Sequence, residues 1–183
     1  MKFFETELKG AFIIELEPRR DERGLFVRTF CKREFAGINH TKEFVQFNQS
    51  VSLQKGTLRG LHFQVPPSAE IKLIRCVRGQ VFDVIIDLRK DSPTFLEHIE
   101  VILSEEKMNM IYVPGGFAHG FQTLEDNCHM IYYHTEYYTP ENERGLNFND
   151  PALNILWPLE PVNVSEKDQK HPFIDHNFNG VII

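Results

Sequence analysis

Lys72-Leu73-Ile74-Arg75-Cys76-Val77-Arg78-Gly79-Gln80-Val81-Phe82-Asp83-Val84-Ile85-Ile86-Asp87-Leu88 reads as two strands joined across Arg78-Gly79-Gln80. The apolar residues follow a period of two, with little helical spacing. In the second strand Phe82, Val84, Ile86 and Leu88 share one face, and Val81, Asp83, Ile85 and Asp87 share the other. In the first, Lys72 leads the face that carries Ile74 and Cys76. If that face looks into a barrel, the ammonium of Lys72 needs an anionic partner or ligand, because an unpaired buried charge is costly.

The same pattern extends in both directions. Gly10–Leu16, Leu25–Phe30 and Phe44–Ser52 read as extended runs, with a charged turn over Pro18–Gly24 and a short helix over Cys31–Ala36. Downstream, Phe95–Leu103, Asn109–Val113, Gly120–Leu124 and Met130–Tyr138 are further strands, closed by turns such as Glu125-Asp126-Asn127. Ser165-Glu166-Lys167-Asp168 is the one clear late helix start, with Ser165 as its cap. Many short strands at regular spacing, with no linker, repeat or composition break, predict a single all-β domain over residues 1–183, a sandwich or jelly-roll barrel.

Bulk properties narrow the function classes. Of 183 residues, 42% are apolar and 25% charged, as in an ordinary globular protein. The 16 Phe against one Trp and five Tyr suit packed β structure. A net charge of −6 argues against a general nucleic-acid or membrane binder, so an anionic ligand would need locally concentrated positive charge. Three scattered cysteines, with no CxxC pair, indicate neither a disulfide framework nor a zinc knuckle and fit a reducing cytosol. The N-terminus lacks the apolar run of a signal peptide, and no stretch nears the roughly 18 apolar residues of a membrane helix.

Chemistry concentrates in Thr57-Leu58-Arg59-Gly60-Leu61-His62-Phe63-Gln64, a cation and an imidazole amid apolar neighbours. Such a mixture suits a half-buried site that binds an anion and moves a proton. Arg23, Arg59 and Lys72 are candidate anion ligands; a guanidinium fork matches a pyrophosphate. Arg59 and His62 are three residues apart, so a regular strand would point them to opposite faces. Gly60 between them is positioned to form a bulge that brings both to one side. In Tyr132-Tyr133-His134-Thr135-Glu136-Tyr137-Tyr138, strand parity separates Tyr132, His134, Glu136 and Tyr138 from Tyr133, Thr135 and Tyr137. A tyrosine facing a polar cavity can donate a proton to a carbanion. Singly, each of these residues has a common structural explanation: solvated arginines, packed histidines, rim tyrosines and an exposed acid at the start of a helix.

Taken together and in order, the motifs resemble the dTDP-4-dehydrorhamnose 3,5-epimerase family of the cupin superfamily. The resemblance runs from about Ala11 to Asp175. It rests on Asp21-Glu22-Arg23-Gly24, Gly56–Gln64, Lys72–Cys76, Val81–Val84, Ser92-Pro93-Thr94-Phe95, Pro114-Gly115-Gly116-Phe117-Ala118-His119-Gly120-Phe121, Tyr132, Thr135, Tyr137, Tyr138, Trp157-Pro158 and Lys167-Asp168. It implies an all-β double-stranded β-helix with a few short helices, a homodimer, no cofactor, and a nucleotide-linked 4-keto-6-deoxyhexose as substrate. By resemblance His62 is the base, Asp168 its partner, Lys72 the stabiliser of the enolate oxygen and Tyr132 the acid. Arg23 and Arg59 would hold the pyrophosphate, and His119 would contact the nucleotide-sugar. Gln46 and Asn48 would bind the nucleoside, Tyr137 would stack on the base, and Glu143 and Lys167 match ligand-contacting positions.

No metal is expected. Pro114–His119 resembles the second cupin metal motif, but the first motif's His-x-His reads His62-Phe63-Gln64 here, and no Glu follows at the required spacing. Two departures stand in the nucleoside-binding region, where many members of the family carry Glu at the position of Arg28 and Asp at that of Phe47. They bear on which nucleotide is read. They leave open a single-carbon epimerase or one for another nucleotide-linked keto sugar; a non-catalytic nucleotide-sugar-binding module is the remaining alternative.

Overall fold

The computed structural model describes residues 1–183. In chain order the strands are β1 Lys2–Glu5, β2 Phe12–Glu15, β3 Arg19–Asp21, β4 Gly24–Phe26, β5 Gln46–Ser52, β6 Leu58–Gln64, β7 Lys72–Arg78, β8 Gln80–Asp87, β9 His98–Ser104, β10 Asn109–Val113, β11 Phe117–Thr123, β12 Cys128–His134 and β13 Glu143–Gly145. Two one-turn helices, α1 Lys32–Phe35 and α2 Glu166–Gln169, complete the regular structure with two short 3-10 turns. None of the helices is long and apolar enough to cross a membrane.

Two antiparallel sheets face each other. One has the order β1-β2-β10-β7-β12-β5 and the other β13-β6-β11-β8-β9. From β5 onward the chain changes sheet at nearly every step, with only β8 and β9 consecutive in one sheet. This is the jelly-roll, cupin-like architecture expected. The alternation matters for function, because neighbours in sequence end on opposite walls of one interior. Thus β7 and β8, joined across Arg78-Gly79-Gln80, lie in different sheets, and so do β11 and β12 around the turn at Glu125-Asp126-Asn127.

Three apolar layers explain the composition. Between the sheets pack Ile74, Cys76, Val81, Ile85, Phe117, Phe121 and Met130. The outer face of the five-stranded sheet, with Phe82, Val84, Ile86 and Leu88, is covered by C-terminal residues that include Leu146, Leu153 and Val181. The outer face of the six-stranded sheet carries Ile14, Leu73, Met110 and Tyr112 against Phe35 of α1. Strand β8 is therefore buried on both faces, which is why both carry apolar residues, Phe82, Val84 and Ile86 on one and Val81 and Ile85 on the other. Its two faces divide as the alternation predicts.

Some boundaries differ from the sequence expectation. The charged turn over Pro18–Gly24 is a hairpin, with β3 paired to β4 as a separate two-stranded sheet, and the following strand stops at Phe26. Every residue of that hairpin is exposed, so no core face prolongs it. Strand β12 ends at His134, four residues before the expected Tyr138, because its ladder with β5 and β7 ends there.

Candidate active site

A cavity of about 650 Å³ opens between the sheets. Along β7 and β12 the inward residues run from apolar core (Ile74, Cys76, Met130) to polar wall (Lys72, Tyr132, His134). Strand β6 supplies Arg59 and His62 from the opposite sheet. Their ladder with β11 pairs Arg59 with Phe121 and His62 with His119, leaving two residues of β6 against Gly120 alone. That is the bulge expected at Gly60, and it brings Arg59 and His62 to the same cavity. Gly60 has φ +125°, and a Cβ there would lie 2.5 Å from the Gly120 Cα and 2.9 Å from the His119 carbonyl oxygen. No other residue fits. The Arg59 guanidinium donates to Ser52 Oγ at 3.2 Å and to the Val51 carbonyl at 3.4 Å, with further donors left for a ligand.

Helix α2 delivers Asp168. Ser165 caps it by accepting the Asp168 backbone N–H at 3.0 Å, which turns the buried carboxylate toward β6. Asp168 Oδ1 lies 2.7 Å from His62 Nε2, and Oδ2 accepts the Gly60 N–H at 3.2 Å. Burial pushes this carboxyl up, but the bonds to His62, Gly60 and Ser165 outweigh it and hold it below the ordinary aspartate range. An ionised carboxylate can only accept, so His62 Nε2 carries hydrogen, and it is Nδ1 that bears the lone pair in the neutral form of the ring. The His62 side chain is about one-third exposed (34%), reachable from the cavity.

The six-stranded sheet forms the facing wall. Tyr132 shares a 3.0 Å hydrogen bond with Ser50 Oγ on β5. Burial raises its phenol well above the ordinary value, against the pull of Ser50, so it stays protonated. Lys72 is buried, pairs with Glu70 Oε1 at 3.2 Å and donates to the His62 carbonyl at 3.3 Å. Glu70 also accepts from Gln64 Nε2 at 3.2 Å and meets His134 Nδ1 at 2.9 Å. Burial works against its charge, but Lys72 and His134 keep its pKa below the ordinary value. On the β6 side, His119 Nε2 lies 2.8 Å from Asp83 Oδ2. Complete burial pushes the Asp83 carboxyl up, against His119 and Lys72.

At the mouth, Gln46 Nε2 donates to Asn48 Oδ1 at 3.3 Å, and Gln46 Oε1 accepts the Tyr138 N–H at 3.0 Å. Tyr138 donates its hydroxyl to Glu143 at 2.7 Å, and Lys167 pairs with the same carboxylate. His62, Tyr132, Asp168, Lys72, Gln46, Asn48, Arg59, His119, Glu143 and Lys167 thus line one cavity.

Four candidates do not line it. Arg23 tips the β3–β4 hairpin, bonds Asp21 and is 83% exposed. Arg28 pairs with Glu34 at 2.8 Å on the surface. Phe47 points outward from β5, edge-on to Tyr133, and Tyr137 is exposed beyond the end of β12. The parity reading anticipates that split of Tyr132 from Tyr137, and Tyr138 lines the wall instead. Sequence reasoning did not single out Ser50, Glu70, Asp83, His134 or His171 as members of the site. Alternation does place Asp83 and His134 on inward faces. Glu70, in a loop, leaves no local signal.

His62, Asp168 and His171 are the trio that could hold a metal, with ligand atoms within 4.8 Å of one another. The 2.7 Å between His62 Nε2 and Asp168 Oδ1 is a hydrogen-bond distance. It is shorter than the ~3.3 Å that separates neighbouring ligands of a tetrahedral ion with ~2.0 Å bonds. The trio is thus a hydrogen-bonded His–Asp pair with a second imidazole beside it. An imidazole on one wall, with a neutral phenol and a buried ammonium on the other, suits proton transfer at a carbon beside a carbonyl.

Comparison with known proteins bears on this chemistry. The family model described as dTDP-4-dehydrorhamnose 3,5-epimerase matches residues 5–176. A dTDP-4-dehydrorhamnose 3,5-epimerase of Methanothermobacter thermautotrophicus is 46% identical over 171 residues, covering 92% of this chain and 91% of the relative. One from Shigella flexneri is 41% identical over 180 residues, covering 97% and 99%. Among solved structures, dTDP-6-deoxy-D-glucose-3,5-epimerase from Legionella pneumophila Philadelphia 1, in complex with dTDP-4-keto-L-rhamnose, superposes with a TM-score of 0.92 at 39% identity, covering 100% of this chain and 98% of that one.

Proposed function

Because the chain belongs to the dTDP-4-dehydrorhamnose 3,5-epimerase family, we propose that it inverts C3 and C5 of dTDP-4-keto-6-deoxyglucose by moving protons beside the C4 ketone. The observation that carries this reading is the opposition of His62, backed by Asp168, to Tyr132 on the other sheet. Inversion needs a proton removed from one face of a carbon and returned to the other, and two facing walls supply the two groups.

In this account His62 Nδ1 takes the hydrogen, and Asp168 stabilises the imidazolium through Nε2–H. The electron pair moves onto the ketone oxygen, where the Lys72 ammonium stabilises the enolate. Tyr132 then donates its proton to carbon from the far face, a step favoured because a phenol is a stronger acid than the ketone it regenerates. The ketone activates both neighbouring carbons, so one set of groups serves C3 and C5 once His62 has released its proton to solvent and Tyr132 has regained one. Arg59 holds a phosphate, His119 contacts the nucleotide-sugar, Gln46 and Asn48 bind the nucleoside, and Glu143 and Lys167 frame the mouth. We read the whole chain as one domain, since both sheets are needed to build the cavity.

We also infer a homodimer working in the cytoplasm. Arg23 is exposed on its hairpin and does not line the cavity of its own chain, which supports its reaching the pyrophosphate in a second copy. Tyr137, Phe47 and Arg28 do not line this cavity in their own chain, and the outward-facing Phe47 and Arg28 also suit a contact with a second copy. The free cysteines, with Cys76 and Cys128 buried, support a reducing compartment.

Incubation with dTDP-4-keto-6-deoxyglucose in deuterium oxide, followed by NMR, tests the reaction. Label at both C3 and C5 with inversion at each is expected. Label at one carbon alone would make the protein a single-carbon epimerase, and binding without label would make it a binding module.

A further inference from the structure

His171 is a titratable ring beside the His62–Asp168 pair that the mechanism leaves unused. Its Nε2 lies 3.6 Å from Asp168 Oδ1, the oxygen that holds His62. At that distance the contact is a charge–dipole one, beyond hydrogen-bond length. The ring meets His62 edge-on at 5.6 Å between centroids. Its Nε2 is buried and has no hydrogen-bond partner. Gly145 pairs with His62 in the β13–β6 ladder, and a Cβ at 145 would overlap the His171 ring, so the glycine gives the imidazole its seat. The backbone is pinned as well, since Asn147 Nδ2 donates to the His171 carbonyl at 3.2 Å.

A lone pair aimed at a carboxylate is repelled, so this placement selects the tautomer with hydrogen on Nε2. Burial, then the neighbouring His62, lowers the His171 pKa and keeps the ring neutral. The charged groups around it are Asp168, His62, Lys167 and Glu143, and the last two pair with each other.

We propose that His171 is a positioning residue that acts through Asp168: its Nε2–H steadies the carboxylate oxygen and limits how strongly that oxygen stabilises the His62 imidazolium. The inference rests on His62 being the base. A base held too tightly in its protonated form is lost at mildly acid pH and releases its proton slowly. The sign follows directly. Replacing His171 by an apolar residue leaves the full carboxylate charge on His62, so His62 protonates at higher pH and the acidic limb of the rate profile moves up.

The test is the pH profile of kcat/KM for dTDP-4-keto-6-deoxyglucose in His171→Leu and His171→Gln. The acidic limb is expected to rise by about half a pH unit or more in the leucine variant. Its kcat should fall at least threefold at the wild-type limb, with KM within twofold. Glutamine, which retains an N–H donor, should return the limb toward wild type. A leucine profile that superimposes on wild type, or glutamine behaving as leucine, would overturn the proposal. A readout on the intact protein guards against misfolding: 15N NMR of the imidazoles should find His171 neutral with hydrogen on Nε2 at pH 7. Hydrogen on Nδ1, or an imidazolium, would overturn it equally. Proton exchange in His62→Ala separates the two levels, because persistence there removes the base assignment, whereas its loss with an unmoved His171→Leu profile removes only this inference.

Discussion

Asp168 Oδ1 meets His62 Nε2 while Oδ2 accepts the Gly60 N–H, so one carboxylate ties the α2 turn both to the His62 ring and to the bulge beneath it. Its charge does more than orient, because a neutral group of the same shape cannot stabilise an imidazolium. Asp168→Asn should therefore lower kcat by about 10²–10⁴-fold while KM changes little, measured by steady-state conversion of the keto sugar. A loss under threefold would reduce Asp168 to a packing residue. At this scale the sequence discloses only what is local. The Ser165 cap is legible because it spans three residues. The contact of Asp168 with His62 joins positions 106 apart, and only the family resemblance suggested it. Glu70 illustrates the limit: it is the anion under Lys72 and His134, yet it sits in a loop with no periodicity to mark its direction.

Two elements convert strand geometry into a site. The β6 bulge lets residues three apart share a cavity, and the end of β12 at His134 keeps Tyr132 inside while Tyr137 faces outward. The first is legible from one glycine between two chemically odd neighbours. The second is half legible: parity separates the tyrosines, but the strand's end depends on where its partners stop. Gly60→Ala tests the bulge. A side chain there meets the Gly120 backbone at φ +125°, and such strained positions cost about 1–3 kcal/mol. Urea denaturation should show that loss, together with a large drop in turnover as Arg59 and His62 shift. Unchanged stability and activity would mean that the bulge tolerates a Cβ by rearranging.

On the scale of the whole molecule, the alternation of strands between sheets is what sets Tyr132 against His62; β-type runs and turn spacing made a sandwich or jelly roll legible, and the family resemblance narrowed it to the jelly roll. Assembly was less so. The accessible surface is 9954 Å², against about 9,100 Å² for a compact monomer of this mass. The excess accompanies an exposed hairpin with Phe26 at 75% exposure and an unpaired β5 edge that displays Phe47. Such an edge ordinarily calls for a partner. For the homodimer proposed above, Phe26→Glu should leave a monomer by sedimentation and weaken substrate binding; a monomeric wild type would contradict the dimer, and an undiminished dimer in the variant would place the interface elsewhere. The central claim is that the two walls divide the proton traffic. It is tested most directly by deuterium uptake at C3 and C5 of dTDP-4-keto-6-deoxyglucose in His62→Ala and Tyr132→Phe. The account predicts no uptake without His62, and uptake that outlasts inversion without Tyr132; exchange at the wild-type rate in His62→Ala would contradict it.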